Sequence, residues 1–179
     1  MLPTARALIA ELDREAPATR RVLERVPADR FGWRPHPRSF SAGELAQHIA
    51  AIPGNVTRLA AQDAFDVSKR TPEYPACESA PALLSALDAS LAAARDFLAG
   101  LDETGANATW RLTAGDRELA TMPRIDVIRT MGLNHWYHHR GELVVYLRLL
   151  DVPVPVVYGR SADESLTDGL APAGRFRSE

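Results

Sequence analysis

Residues 123–150 read PRIDVIRTMGLNHWYHHRGELVVYLRLL, and their spacing decides the fold class. Ile125, Ile128, Met131, Gly132, His135, His139, Glu142, Leu143, Tyr146 and Leu150 recur at intervals of three and four. That is the period of an α-helix with one buried face. Pro123 suits a helical first turn, and Asp151-Val-Pro-Val-Pro155 ends the run, because two prolines cannot continue a helix. The spacing predicts one long helix from Pro123 to about Leu150.

Three further stretches carry the same period. A first helix is expected from Pro3 to about Val26, with Leu8, Ile9, Leu12, Ala16, Val22 and Leu23 inward and Pro17 either kinking or splitting it. After the proline-containing loop Phe31–Phe40, Ser41-Ala-Gly-Glu44 reads as a capping box that opens a second helix. Leu45, His48, Ile49, Ile52, Val56 and Leu59 form its stripe, and Pro53-Gly54 predicts a kink one turn beyond His48. Asp66 to Ala80 reads as a crossover loop, then Pro81 opens a third helix carrying Leu83, Leu84, Leu87, Leu91 and Leu98 up to Gly100. The segment Arg111–Leu119 gives a weak hairpin signal. Four apolar stripes joined by long crossover connections predict an all-α four-helix bundle. Residues 1–165 are expected to form a single domain, with 166–179 as a flexible tail.

Composition narrows the function classes. The 179 residues carry 21 Lys+Arg and 23 Asp+Glu, a formal net charge of −2. Without a basic excess, a dedicated nucleic-acid binder is not expected. No apolar run reaches the roughly 18–20 residues of a membrane span, and the charged N-terminus has no secretory h-region, so a cytoplasmic protein is expected. Cys77 is the single cysteine, which excludes an internal disulfide and a cysteine zinc cage. It sits in a loop and is not assigned as a nucleophile.

The histidines carry the chemistry. There are five: His36, His48, His135, His138 and His139. On a helix, His135 and His139 differ by about 40° and stand one turn apart, the arrangement that offers two imidazoles to one metal ion. They lie on the inward stripe, where an unpartnered polar group costs about 1–3 kcal/mol. His48 occupies the matching position on the second helix. If the two helices face each other, three neutral imidazoles converge and leave coordination positions open, a catalytic-type site for zinc, nickel or iron. Such an ion lowers the pKa of bound water to about 7. Its binding should weaken as imidazoles protonate. His138 is a substitute ligand, a donor to a ligand, or a rim residue, and His36 a solvated loop residue. Glu142 either orients an imidazole, serves as a base, or pairs with Arg140 or Arg148 at the surface. Trp33, Trp136 and Tyr137 read as packing. The competing reading of the same residues is a non-catalytic metal-binding or dimerisation module with structural histidines.

Several segments together resemble the DinB/YfiT-like family of metal-dependent proteins. They are Trp33-Arg34-Pro35, Glu44-Leu-Ala-Gln-His48-Ile49, Asn134-His-Trp-Tyr-His-His-Arg-Gly-Glu-Leu143, and Val152-Pro-Val-Pro155 with Val157–Glu164. The likeness runs from about residue 5 to 165. It implies an up-down-down-up bundle in which His48, His135 and His139 bind a divalent metal, often zinc or nickel, and it implies homodimers. It also implies activity on a small-molecule substrate, as a transferase using a low-molecular-weight thiol or as a hydrolase. Glu142 stands where many relatives carry glutamine.

Overall fold

The computed structural model describes residues 1–69, 79–165 and 167. The protein is mostly helical. Four long rods share one apolar core: α1 (Pro3–Glu24), α2 (Ala42–Ala60), α3 (Ala80–Gly100) and a final run. That run consists of α5 (Arg124–Val127), a π-helical segment (Ile128–Asn134) and α6 (His135–Leu149). Rods α1 and α2 each pack on both α3 and α6. A short helix, α4 (Glu103–Asn107), precedes the strands β2 (Thr109–Ala114) and β3 (Arg117–Pro123).

The expected stripes are the buried ones. Leu45, Ile49, Ile52 and Val56 of α2 face Leu83, Leu87 and Leu91 of α3 across a core in which all seven are buried. Pro17 sits inside an unbroken α1, so the helix is not split. The capping box forms as read: Ser41 N–H donates to Glu44 Oε2 at 2.6 Å and Glu44 N–H to Ser41 Oγ at 3.2 Å.

Pro53-Gly54 acts as a joint between rods. Proline has no N–H, so the Ile49 carbonyl four residues back has no helical donor. The Trp136 indole Nε1–H takes that carbonyl at 2.9 Å, tying α6 to α2. Next to it, the Gly54 N–H donates to Ser90 Oγ of α3 at 2.8 Å. A Cβ on Gly54 would meet the Ser90 backbone at 3.1–3.2 Å, so glycine is what allows α2 and α3 to close here.

Two features depart from the expectations, and a third was not foreseen. The chain is not purely helical: β1 (Ala64–Asp66) pairs in parallel with β2, and β2 pairs antiparallel with β3, in the order β1-β2-β3. The hairpin signal at Arg111–Leu119 was therefore sound but too short, and Gly115 turns it with φ +60°. The sheet is fastened to the C-terminal end of α2, where Trp110 Nε1–H donates to the Leu59 carbonyl. The fourth helix is not uniformly α: its π segment inserts a wide turn immediately before His135. Finally, residues 152–165 form a strap. Glu164 pairs with Arg21 of α1 and with Arg25 just beyond it, and Asp163 with Arg148 of α6. Most of the crossover loop with Cys77, and all of the expected tail except Thr167, lie outside the described residues.

Candidate metal centre

His48 stands in the second turn of α2, one residue before Ile49, and His135 one residue before Trp136. The indole–carbonyl bond between Ile49 and Trp136 therefore holds these two histidines against each other. His48 Nε2 and His135 Nε2 are 3.4 Å apart, and His135 Nε2 and His139 Nε2 are 2.8 Å apart. One donor atom from each of the three rings lies within 4.8 Å of the other two. His48 and His135 are half-buried, and His139 is 9% exposed.

The outer nitrogens of two rings are committed. His135 Nδ1 lies 3.2 Å from the Met131 carbonyl in the π segment, and a carbonyl can only accept. His139 Nδ1 lies 2.9 Å from Glu142 Oε2. With Nδ1–H donating in both rings, the tautomer assigned from these partners leaves a lone pair on each Nε2. Two lone pairs facing each other at 2.8 Å, with a third imidazole beside them, repel unless a cation sits among them. A shared proton would serve only two of the three rings. Metal–nitrogen bonds of about 2.0–2.1 Å, meeting at right or tetrahedral angles, set donor atoms about 2.8–3.4 Å apart. The His48–His135 and His135–His139 separations fall in that range, so the three histidines could hold a divalent ion.

Glu142 faces the centre and not the surface cations. It accepts from His139, and Tyr146 Oη donates to its other oxygen at 3.3 Å. Burial, reinforced by the Glu142 charge, holds the Tyr146 phenol above its ordinary value, so it remains a donor. The pairing of Glu142 with Arg140 or Arg148 does not form. Arg148 is bound to Asp163. Arg140 is 1% exposed and reaches the other way, to Glu15 at 2.7 Å and Thr19 at 3.0 Å of α1 and to Tyr158 of the strap. Its signal in the sequence was a charged residue flanked by the inward positions 139 and 143.

His138 is exposed, with its ring centroid 4.9 Å from that of His139. With His139 and Glu142 it forms a second, more open donor group. His36 stays in its loop, where Nδ1 accepts the Arg38 backbone N–H at 3.1 Å. Trp33 and Tyr137 pack as expected. Trp33 meets the Tyr146 ring edge-on at 5.7 Å, and Tyr137 donates to Glu11 at 2.9 Å. Burial, then that carboxylate, pushes the Tyr137 phenol far up, while Arg129 beside Glu11 holds the Glu11 carboxyl down.

The loop Phe31–Phe40 roofs the centre. Its carbonyls at Trp33 and Phe31 accept the Ala42 and Gly43 N–H groups at 2.8 and 2.9 Å, satisfying the first turn of α2. Phe40 then lays its ring 6.0 Å from His48 and 6.3 Å from His139. A cleft of about 550 Å³ opens beside His139, lined by Arg34, Arg38, Phe40, Glu44, His138 and Glu142 among others. That volume accommodates a small molecule. Sequence reasoning did not anticipate Arg38 or Phe40 here, because their role depends on how the loop folds back.

A mostly helical protein with three convergent imidazoles, one of them lining an open cleft, defines a class of candidate metal-binding proteins. The match to the DinB superfamily over residues 11–143 places the chain within it: the protein belongs to the DinB superfamily. Solved structures share the fold. A DinB-like protein from Bacillus cereus has 22% identity and TM-score 0.66, over 84% of this chain and 95% of that one. One from Bacillus subtilis has 17% identity and TM-score 0.64, over 86% and 99%. A DinB-family protein from Exiguobacterium sibiricum has 21% identity and TM-score 0.63, over 84% and 94%. No curated protein gives a significant match.

Proposed function

We propose that the protein is a metal-dependent enzyme in which His48, His135 and His139 hold one divalent ion. Zinc or nickel is the first choice and iron the third. The four rods are read as the up-down-down-up bundle of the family, and residues 1–165 as its single domain. The reading rests on one observation: three ring nitrogens converge while the outer nitrogens of His135 and His139 are committed to acceptors. Three protein ligands leave coordination positions free, as catalytic sites do. When bound, the ion supplies Lewis acidity that activates a thiol or a water for attack.

This chain's residues would do the rest. Glu142 keeps His139 in the tautomer that presents Nε2, and the Met131 carbonyl does the same for His135. Phe40 limits water on one side, and the cleft beside His139 admits a small-molecule substrate. Thiol-dependent transfer and hydrolysis both suit this geometry, and the family resemblance supports both. Homodimers follow from that resemblance, and a cytoplasmic location from composition. Among the described residues no helix is long and apolar enough to cross a membrane.

Metal analysis of purified protein tests the reading. Wild type should hold about one equivalent per chain. His135→Ala/His139→Ala should hold none, His48→Ala should hold less, and His36→Ala should match wild type. Glu142→Gln keeps an acceptor for His139 Nδ1 and should retain metal, while Glu142→Ala should weaken it by about 10–100-fold. Full metal content in the double variant would refute the site.

A further inference from the structure

The cleft beside His139 carries a cation, Arg38, that no described residue pairs with. Its acidic residues are spent: Glu44 closes the capping box and Glu142 binds His139. Arg34 is spent too, donating to the Ser39 carbonyl at 3.2 Å and pairing with Glu44 at 3.4 Å. Among the described residues, the Arg38 guanidinium has neither a hydrogen-bond nor an ion-pair partner, although it lines the same cleft as His139.

Its backbone, in contrast, is held. The Arg38 N–H donates to His36 Nδ1, and the neighbouring Ser39 N–H donates to the His36 carbonyl at 2.9 Å. Two residues on, Phe40 rests on the imidazoles of His48 and His139. The loop thus fixes the root of a long, solvent-exposed cationic side chain in the cleft that His139 also lines. A bound divalent ion adds positive charge to the same cleft. Arginine's planar fork matches carboxylate, phosphate and sulfonate oxygens.

We infer that the substrate or co-substrate is a small molecule bearing an anionic group, held by Arg38 while its reactive end reaches the ion. The inference rests on the metal-enzyme reading above, and it narrows the substrate or co-substrate to one with an anionic group.

Cobalt(II) substitution of the full-length protein tests it, read through the visible bands and the thiolate-to-cobalt absorption. Two thiols of the same length serve as probes: 2-mercaptoethanesulfonate, with an anionic end, and 2-mercaptoethanol, with a neutral one. The sulfonate should bind at least about tenfold tighter, the size of one charge-assisted hydrogen bond. Arg38→Gln should bind cobalt as wild type does and lose the preference, and Arg38→Lys should keep part of it. Equal binding of the two probes by wild type, or an intact preference in Arg38→Gln, overturns the inference and leaves the metal reading standing. Failure of wild type to bind cobalt at the histidines removes the metal reading, and this inference with it.

Discussion

Trp136 does two jobs with one side chain. Its ring is buried, 1% exposed, in the shared core, and its N–H satisfies the carbonyl that Pro53 leaves without a donor. Because Ile49 and Trp136 directly follow His48 and His135, that single bond sets how closely the two imidazoles approach. Trp136→Phe keeps most of the apolar bulk and orphans the Ile49 carbonyl, a loss of about 1–3 kcal/mol. The variant should fold with a lowered melting temperature and bind zinc more weakly. Adding Pro53→Ala supplies a helical N–H to Ile49, so stability should recover while zinc affinity stays low. Zinc affinity measured by chelator competition separates the roles. Wild-type affinity in Trp136→Phe would show that the indole bond is structural only.

At the scale of elements, the strap is the part whose attachment responds to pH. Arg148, then the Val154 N–H, holds the Asp163 carboxyl below its ordinary 3.8. Burial raises Glu164, but the Val156 N–H and Arg21 outweigh it and bring that carboxyl below its ordinary 4.5. Depressed carboxyls stabilise the folded state above their unfolded values and lose that contribution as pH falls through the folded ones. The Val154 and Val156 amides donate to these carboxylates at 2.8 and 2.9 Å. Their hydrogen-exchange protection factors should therefore drop as pH falls below about 4, before the core amides of α2 lose theirs. Protection that persists to lower pH in step with the core would contradict the latch.

Elements set by local pattern were the ones legible in the sequence. The stripes of α2 and α3 and the Ser41–Glu44 cap are each fixed by residues within a turn or two. The sheet was not, because β1 meets β2 through pairs such as Ala64 with Arg111, some fifty positions apart in the chain. Nor was the π segment, whose buried Ile128 and Gly132 keep the four-residue interval of an ordinary helix.

For the whole molecule, the site is legible to the extent that helices are. The His135–His139 pair follows from helical geometry alone, whereas His48 joins it through tertiary packing between α2 and α6. Glu142 could be placed on the right face but not given a partner, since Arg140 and Arg148 both lie within two turns of it and were drawn off by α1 and the strap. Arg38 escaped notice because a loop residue has no period to betray its direction.

Crystals grown without chelator, with anomalous data collected at the edge of the bound metal, test the central claim most directly. One anomalous peak is expected within about 2.0–2.2 Å of Nε2 of His48, His135 and His139. No peak among these rings, or a peak held by His138 and Glu142 in their place, would contradict it.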